Sequence, residues 1–281
     1  MIRLLRSFAR PHAVDYKGRF RYYWRNSAGK YPMDVAEVRN AVLASEAVAD
    51  KLRSFRTGRL ADVVAGQTPV AMNDVATVVI HVLPLTSFDI PAPNVDLSAA
   101  PGSPERFLPI TMGGSTRHNF DSLLCHGSYD GYGGSRTRTP ESYVLLFRSG
   151  IVEAVDSLLL WPEEYGRIIP SEAFERDVLS AVYRYLSLLS HLGVDGPVYV
   201  ALSLLGVRDY EMAYESIRSS RIRPVDRDAL VVPEAEAEGP NLDREDVGRL
   251  MKPALDQIWN ACGYARSMLY DADGRWVGDR R

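Results

Sequence analysis

Two apolar runs joined by a tight turn, in the segment YVLLFRSGIVEAVD from Tyr143 to Asp156, constrain the fold more than any other local feature. Ser149 and Gly150 lie between the runs and can supply the turn. Short hydrophobic runs that flank such a dipeptide are typical of a β-hairpin. The segment therefore predicts two antiparallel strands that contribute to the core.

Other segments extend this pattern. Apolar runs of strand length, rich in β-branched residues, occupy 75–85 and 197–207, and a shorter one surrounds Val231. Two stretches with helical spacing follow the hairpin, at 171–192 and 243–262, and Pro253 is expected to kink or divide the second. The acidic EAEAEG is expected to be a solvated connector. The order of elements predicts an α+β fold with a mixed, mainly antiparallel sheet and two long late helices.

A strand, a turn and a helix precede this body. Residues 19–25 form an aromatic-rich strand, RNSAGKYP is a turn, and Asp34 with Glu37 resembles a capping box at the start of a helix. The helix is expected to run to about Phe55 and to end or bend at Gly58. We therefore predict two domains, 1–66 and 67–281.

Charge is distributed unevenly along the chain. Residues 1–60 carry 13 Lys and Arg against 5 Asp and Glu, or +8, so that the whole-chain totals of 33 and 36 leave 20 against 31, or −11, for the rest. A basic front and an acidic body suggest different partners for the two ends.

The basic charge of the front is concentrated around the aromatic strand. Alternation along a strand places Arg19, Arg21, Tyr23 and Arg25 on one face, and directs the aromatic residues between them toward the core. This pattern favours phosphate contact over base stacking, although a solvated strand explains it equally well. The candidate nucleic-acid-binding residues are Arg19, Arg21, Tyr23, Arg25, Lys30, Arg53, Arg56 and Arg59.

Catalytic and cofactor motifs do not assemble from the sequence. No phosphate-binding loop ending in Gly-Lys-Ser or Gly-Lys-Thr occurs, and GYGGSR neither follows a confident strand nor opens a helix. His118 and His126, with Asp121 and Cys125 between them, match no compact zinc pattern, so structural roles are favoured over a metal site. The two cysteines are expected to be buried, reduced thiols. We predict no catalytic residue, no metal and no cofactor, and the sequence favours a binding protein over an enzyme.

Targeting and membrane signals are also missing from the sequence. The segment MIRLLRSFARPH has charges every few residues, and no later stretch approaches the roughly 18 uninterrupted apolar residues that span a bilayer. We expect a cytoplasmic protein without a membrane partner.

Residues 6–46 resemble the closing part of the Schlafen-type AlbA-like DNA-binding domain of bacterial proteins, which are often labelled ATP-binding proteins or transcriptional regulators. The resemblance rests on Pro11 and His12, on the aromatic strand and turn RYYWRNSAGKYP, and on the helix that begins at Asp34. The segments VVIHVLPLTSF, YVLLFRSGIVEAVD and GVRDYEM are similar to the uncharacterised C-terminal domain of one bacterial subgroup.

The resemblance implies a DNA-associated regulatory protein that binds double-stranded DNA. It covers only about the last 40 residues of a domain of roughly a hundred, so the first domain is expected to be a C-terminal remnant. The chain is expected to be a fragment, a shortened reading frame, or a protein that receives the first half of the domain separately. A strand at 19–25 left with unpaired edges would favour homo-oligomers. The alternatives are a ligand- or protein-binding sensor with the loops 89–116 and 126–142 as exposed lids, and a Schlafen-like nucleic-acid-processing or ATP-binding protein.

Overall fold

A computed structural model describes residues 12–26, 29–89, 91–100, 105–111, 113–127, 140–214 and 223–278. It divides the chain into two compact units, Met1–Arg59 and Leu60–Arg281. The division falls inside a helix, seven residues before the boundary predicted at 66/67. Each unit is described by itself below.

The first unit begins with a three-stranded antiparallel sheet. Its strands are β1 (Ala13–Tyr16), β2 (Arg19–Asn26) and β3 (Gly29–Pro32), in the order β1-β2-β3. A two-residue turn at Lys17 and Gly18, both with positive φ, joins β1 to β2, as is typical of tight hairpins. The edges that the sequence predicted to be unpaired at residues 19–25 are partly covered, because β1 pairs with residues 19–22 and β3 pairs with residues 23–26.

Helix α1 (Val35–Val64) follows the sheet. The predicted capping box is confirmed: the backbone N–H of Glu37 donates to Asp34 Oδ1 at 2.7 Å, and that of Asp34 donates to Glu37 Oε2 at 2.9 Å. The prediction that Gly58 ends the helix is wrong. The helix continues through Gly58 to Val64. One glycine inside a helix lowers its stability by only about 1 kcal/mol, and the turn that follows Gly58 buries Leu60.

The second unit is built on an eight-stranded sheet in which every neighbouring pair is antiparallel. The strands are β4 (Thr77–Pro84), β5 (Ser115–His118), β6 (Ser122–Gly127), β7 (Ser142–Phe147), β8 (Val152–Asp156), β10 (Val198–Leu205), β12 (Ala229–Val231) and β13 (Ala235–Ala237). Their order is β12-β10-β4-β8-β7-β6-β5, and β13 pairs with β10 beside β12. The predicted α+β fold with a mainly antiparallel sheet is confirmed.

Two strands of the second unit lie outside that sheet. β9 (Ile168–Pro170) and β11 (Glu211–Ala213) form a separate parallel pair. The parallel pairing that the sequence predicted within a mixed sheet is therefore found in a separate two-stranded sheet, while the pairs in the large sheet are antiparallel.

The predicted hairpin at 143–156 is confirmed as β7 and β8. The loop between them contains Gly150, whose φ of 90° lies in the left-handed region that favours glycine. The segment EAEAEG, in contrast, is not a simple connector. Its second to fourth residues, Ala235–Ala237, form β13, because pairing with Val198–Val200 of β10 outweighs their low strand propensity.

Two long helices, α2 (Ser171–His191) and α3 (Arg244–Ala261), contribute the apolar core on one side of the sheet. Val78, Ile80 and Val82 of β4 belong to this core. Pro253 lies within α3, which continues through it as one helix, so the expectation that Pro253 divides the helix is wrong. No helix in the described part of the chain is long and apolar enough to cross a membrane.

The segment 89–116 is not the exposed loop that its composition predicted. Val95, Leu97, Phe107 and Ile110 are buried in the core that contains the α2 residues. The Tyr185 hydroxyl of α2 also donates to the Leu108 carbonyl at 2.9 Å. Scattered apolar side chains thus hold the described parts of this irregular segment in place, which removes its interpretation as a lid.

Candidate nucleic-acid interface

The register of the first sheet gathers basic residues on one face. Tyr16 of β1 pairs with Arg19 of β2, and Val14 pairs with Arg21, so these four side chains share a face. On the other side of β2, Pro32 pairs with Tyr23, and Lys30 pairs with the backbone of Arg25. The Arg25 side chain lies outside the described part of the structure. We call this surface the basic face; its described members are Val14, Tyr16, Arg19, Arg21, Tyr23, Lys30 and Pro32.

The charges of the basic face are accessible. Arg19, Arg21 and Lys30 are exposed, and Tyr16 is 69% exposed. The Lys30 ammonium lies 3.9 Å from the centroid of the Tyr23 ring, and that of Lys17 lies 5.3 Å from the centroid of Tyr16. Cations and aromatic rings therefore alternate across this surface at distances that allow cation–π attraction.

The opposite face of the same sheet is aromatic, and its expected burial is wrong. Phe20 is 72% and Trp24 is 40% exposed, while Tyr22 is half-buried. Three short strands supply little apolar cover, and Leu52 is the single buried apolar residue among the described residues of this unit. Asp15 pairs with Phe20 on this side, so β1 places its carboxylate on the face away from the arginines.

The three helical arginines that the sequence predicted as nucleic-acid contacts differ in exposure. Arg53 is exposed, with a nitrogen 3.5 Å from a carboxylate oxygen of Asp50 one turn earlier. Arg56 is only 4% exposed, and Arg59 is half-buried. A buried guanidinium does not reach a phosphate in solvent, so Arg56 is corrected from a predicted contact residue to a buried one. The basic face of the sheet therefore remains the main candidate surface for phosphate contact in the first unit.

The histidine and cysteine positions support no metal centre. His118 of β5 pairs with Leu123, which shares a face with Cys125, whereas His126 follows Cys125 directly along β6 and points to the other face. The described residues contain no group of three or more potential ligands. Cys125 and Cys262 are free and buried, as predicted, and burial raises the pKa of their thiols to about 11 and about 12, respectively.

A buried polar cluster lies in the second unit, on the side of the sheet away from α2 and α3. His81 Nε2 lies 3.0 Å from Glu153 Oε2, and the Tyr143 hydroxyl donates to Glu153 Oε1 at 3.0 Å. All three side chains are fully buried among Val79, Leu145 and Val155. His81 lies on β4 in the interior of the sheet. Its partners come from strands far along the chain.

A second buried cluster was missed from the sequence. Glu175 Oε1 of α2 accepts hydrogen bonds from Trp259 Nε1 and Ser267 Oγ, both at 2.6 Å, and Oε2 accepts one from Trp276 Nε1 at 2.8 Å. Burial raises the pKa of this carboxyl group against the opposing effect of the three donors. The four residues are scattered over a hundred positions, so no local pattern indicates that they meet.

A cleft of about 460 Å³ lies between β12 and the end of α3. Leu230 and Ile258 supply apolar walls, and Arg227, Gln257 and Asn260 supply polar groups. Its size falls within the range of small-molecule pockets, about 300–1,000 Å³. The second unit therefore contains a concave surface that could hold a ligand.

Comparison with protein-family models found no match, and comparisons with curated proteins and with solved structures found none either.

Proposed function

We propose that the protein is a DNA-associated regulatory protein that binds nucleic acid through the basic face of its first unit. The single observation that carries this proposal is the strand register, which gathers Arg19, Arg21 and Lys30 on one exposed surface and places Asp15 on the other. Lysine and arginine side chains gathered in this way contact phosphates and release condensed counterions. The resemblance of residues 6–46 to an AlbA-like domain supports the same function.

Arg19 and Arg21 are the phosphate contacts proposed here, and Lys30 contributes charge beside Tyr23. Both arginines project from β2, the central strand of the sheet, and pairing with β1 holds their backbone in place. The paired Arg53 and the buried Arg56 are expected to contribute less. Arg25 belongs to the proposal by its position opposite Lys30.

Binding of a labelled DNA oligonucleotide to the full chain, measured by fluorescence anisotropy over a series of salt concentrations, tests the proposal. Affinity should fall steeply with salt, and Arg19→Ala or Arg21→Ala should each reduce the slope of log K against log salt by about 1. Arg53→Ala is the matched control, since its ion pair with Asp50 is expected to make its effect smaller. Absence of binding at low salt, or binding that salt leaves unchanged, would remove the proposal.

A second candidate function is ligand sensing by the second unit, and the cleft between β12 and α3 favours it. A fragment screen by ligand-observed NMR tests this candidate. Ala261→Trp, which fills the rim of the cleft, should abolish the signals of true cleft ligands. Signals that persist in that variant would place the fragments elsewhere and count against the candidate.

A further inference from the structure

We infer that the basic face binds single-stranded nucleic acid, with a base stacked on Tyr16 and the adjoining phosphates held by Arg19 and Arg21. This inference rests on the proposed function and narrows its substrate class. It departs from the double-stranded DNA expected from the sequence because β1, which brings Tyr16 beside the arginines, was not predicted.

Tyr16 has the position and exposure of a stacking platform. It is the last residue of β1, it lies directly across from Arg19, and more than two thirds of its side chain is open to solvent. A flat aromatic ring can stack only on a base whose own face is free. In a duplex the base faces are covered by neighbouring bases, so an exposed ring among cations favours an unpaired strand.

The spacing of the cations suits a strand that lies across the sheet. Residues two apart on a strand are about 7 Å from each other, so Arg19 and Arg21 present two guanidinium groups along one line. Directly paired residues on neighbouring strands lie about 5 Å apart, which places Arg19 close to a base on Tyr16. The Lys17 ammonium near the same ring adds a third positive charge for the backbone.

The aromatic face on the other side of the sheet is a weaker candidate for the same ligand. Phe20 and Trp24 are exposed there, but Asp15 pairs with Phe20 on that side. Tyr31, which pairs with Trp24, donates its hydroxyl hydrogen to Glu37 Oε1 at 2.9 Å. Carboxylates beside these rings would repel a phosphate backbone, so charge selects the basic face.

The test compares a fluorescent single-stranded oligonucleotide of about 12 residues with the duplex of the same sequence, using the full chain and low salt. The single strand should bind more tightly. Tyr16→Ala should weaken that binding by about 5- to 100-fold and leave weak duplex binding almost unchanged. Tyr16→Phe, which keeps the ring, should retain the affinity.

Tyr165→Ala is the matched control, because Tyr165 is an exposed tyrosine of the second unit. Tighter binding of the duplex would overturn this inference and leave the proposed function standing. Equal single-strand affinity of wild type and Tyr16→Ala would also overturn it. Failure of both oligonucleotides to bind would remove the inference and the proposed function together.

Discussion

Replacing Glu175 by alanine tests how the second unit holds its two long helices and its last residues together. Glu175 lies on α2, Trp259 lies on α3, and Ser267 and Trp276 lie in the segment that follows. One buried carboxylate therefore receives three hydrogen bonds from two other parts of the chain. Alanine removes the acceptor and leaves every donor in place.

The magnitude follows from the burial of the donors. Trp259 and Ser267 are almost fully buried, so in the variant their donor groups would have neither a protein partner nor water. Each unsatisfied donor lowers the free energy of unfolding by about 1–3 kcal/mol. Trp276 is only half-buried and is expected to add less. Glu175→Ala should therefore lower the free energy of unfolding by about 4 kcal/mol.

Glu175→Gln should lower the free energy of unfolding by less, about 1–2 kcal/mol. Its amide oxygen can still accept hydrogen bonds from Trp259 and Ser267, but its NH₂ group is a donor and cannot accept one from the Trp276 N–H. Glu172→Ala is the control, since Glu172 is exposed on the first turn of the same helix. It should change the free energy of unfolding by less than about 1 kcal/mol.

The pH dependence of the glutamine variant gives a separate check. Burial raises the pKa of Glu175, so the folded chain binds this proton more tightly than the unfolded chain does. The resulting stabilisation is present at pH values below the ordinary range of a carboxyl group and is lost as the pH rises through the raised folded pKa. The advantage of wild type over Glu175→Gln should therefore be larger at acidic pH than at neutral pH.

Urea unfolding followed by tryptophan fluorescence measures these differences, since Trp259 and Trp276 report on the cluster itself. A loss below about 1 kcal/mol in Glu175→Ala would refute the reasoning. An advantage over Glu175→Gln that grows with rising pH would contradict the sign of the pKa shift.

Three further predictions concern the second unit. Cys125 and Cys262 should resist thiol reagents near pH 8 in the folded chain and react once it is unfolded by urea, because burial raises both pKa values to about 11 and about 12; rapid labelling of the native chain would contradict this. Tyr143→Phe should lower the free energy of unfolding by about 1–3 kcal/mol, since Glu153 loses a buried hydrogen bond; an unchanged urea midpoint would count against that bond. Gly150→Ala should lower the free energy of unfolding by about 1–2 kcal/mol, because the φ of Gly150 is +90°, in the region that an alanine side chain disfavours. A melting temperature equal to that of wild type would contradict this prediction.

The sequence predicted the elements whose signals are local. The hairpin at 143–156 and the helices α2 and α3 appear where apolar spacing placed them. β13 was missed because its Ala-Glu-Ala sequence, within an acidic segment, becomes a strand only through pairing with β10. That pairing joins segments almost forty residues apart, which local patterns do not reveal.

The same limit applies to the candidate site: the features set by one strand were predicted, and those set by strand pairing were not. Alternation along β2 correctly grouped Arg19, Arg21 and Tyr23, because one strand determines which side chains share a face. The place of Tyr16 depends on the pairing of β1, a short strand without a strong apolar pattern. Arg56 could have been excluded, since it lies four residues from both Leu52 and Leu60 on the buried stripe of α1.

The position of β4 in the middle of its sheet has a consequence for synthesis on the ribosome. β4 is the first strand of that sheet to be made, yet it pairs with β8 and β10, which emerge much later. Until residue 205 has left the exit tunnel, one long side of this strand, which is fully buried in the folded chain, has no partner within the sheet. Nascent chains stalled before that point should therefore be the ones that chaperones retain and that aggregate when released.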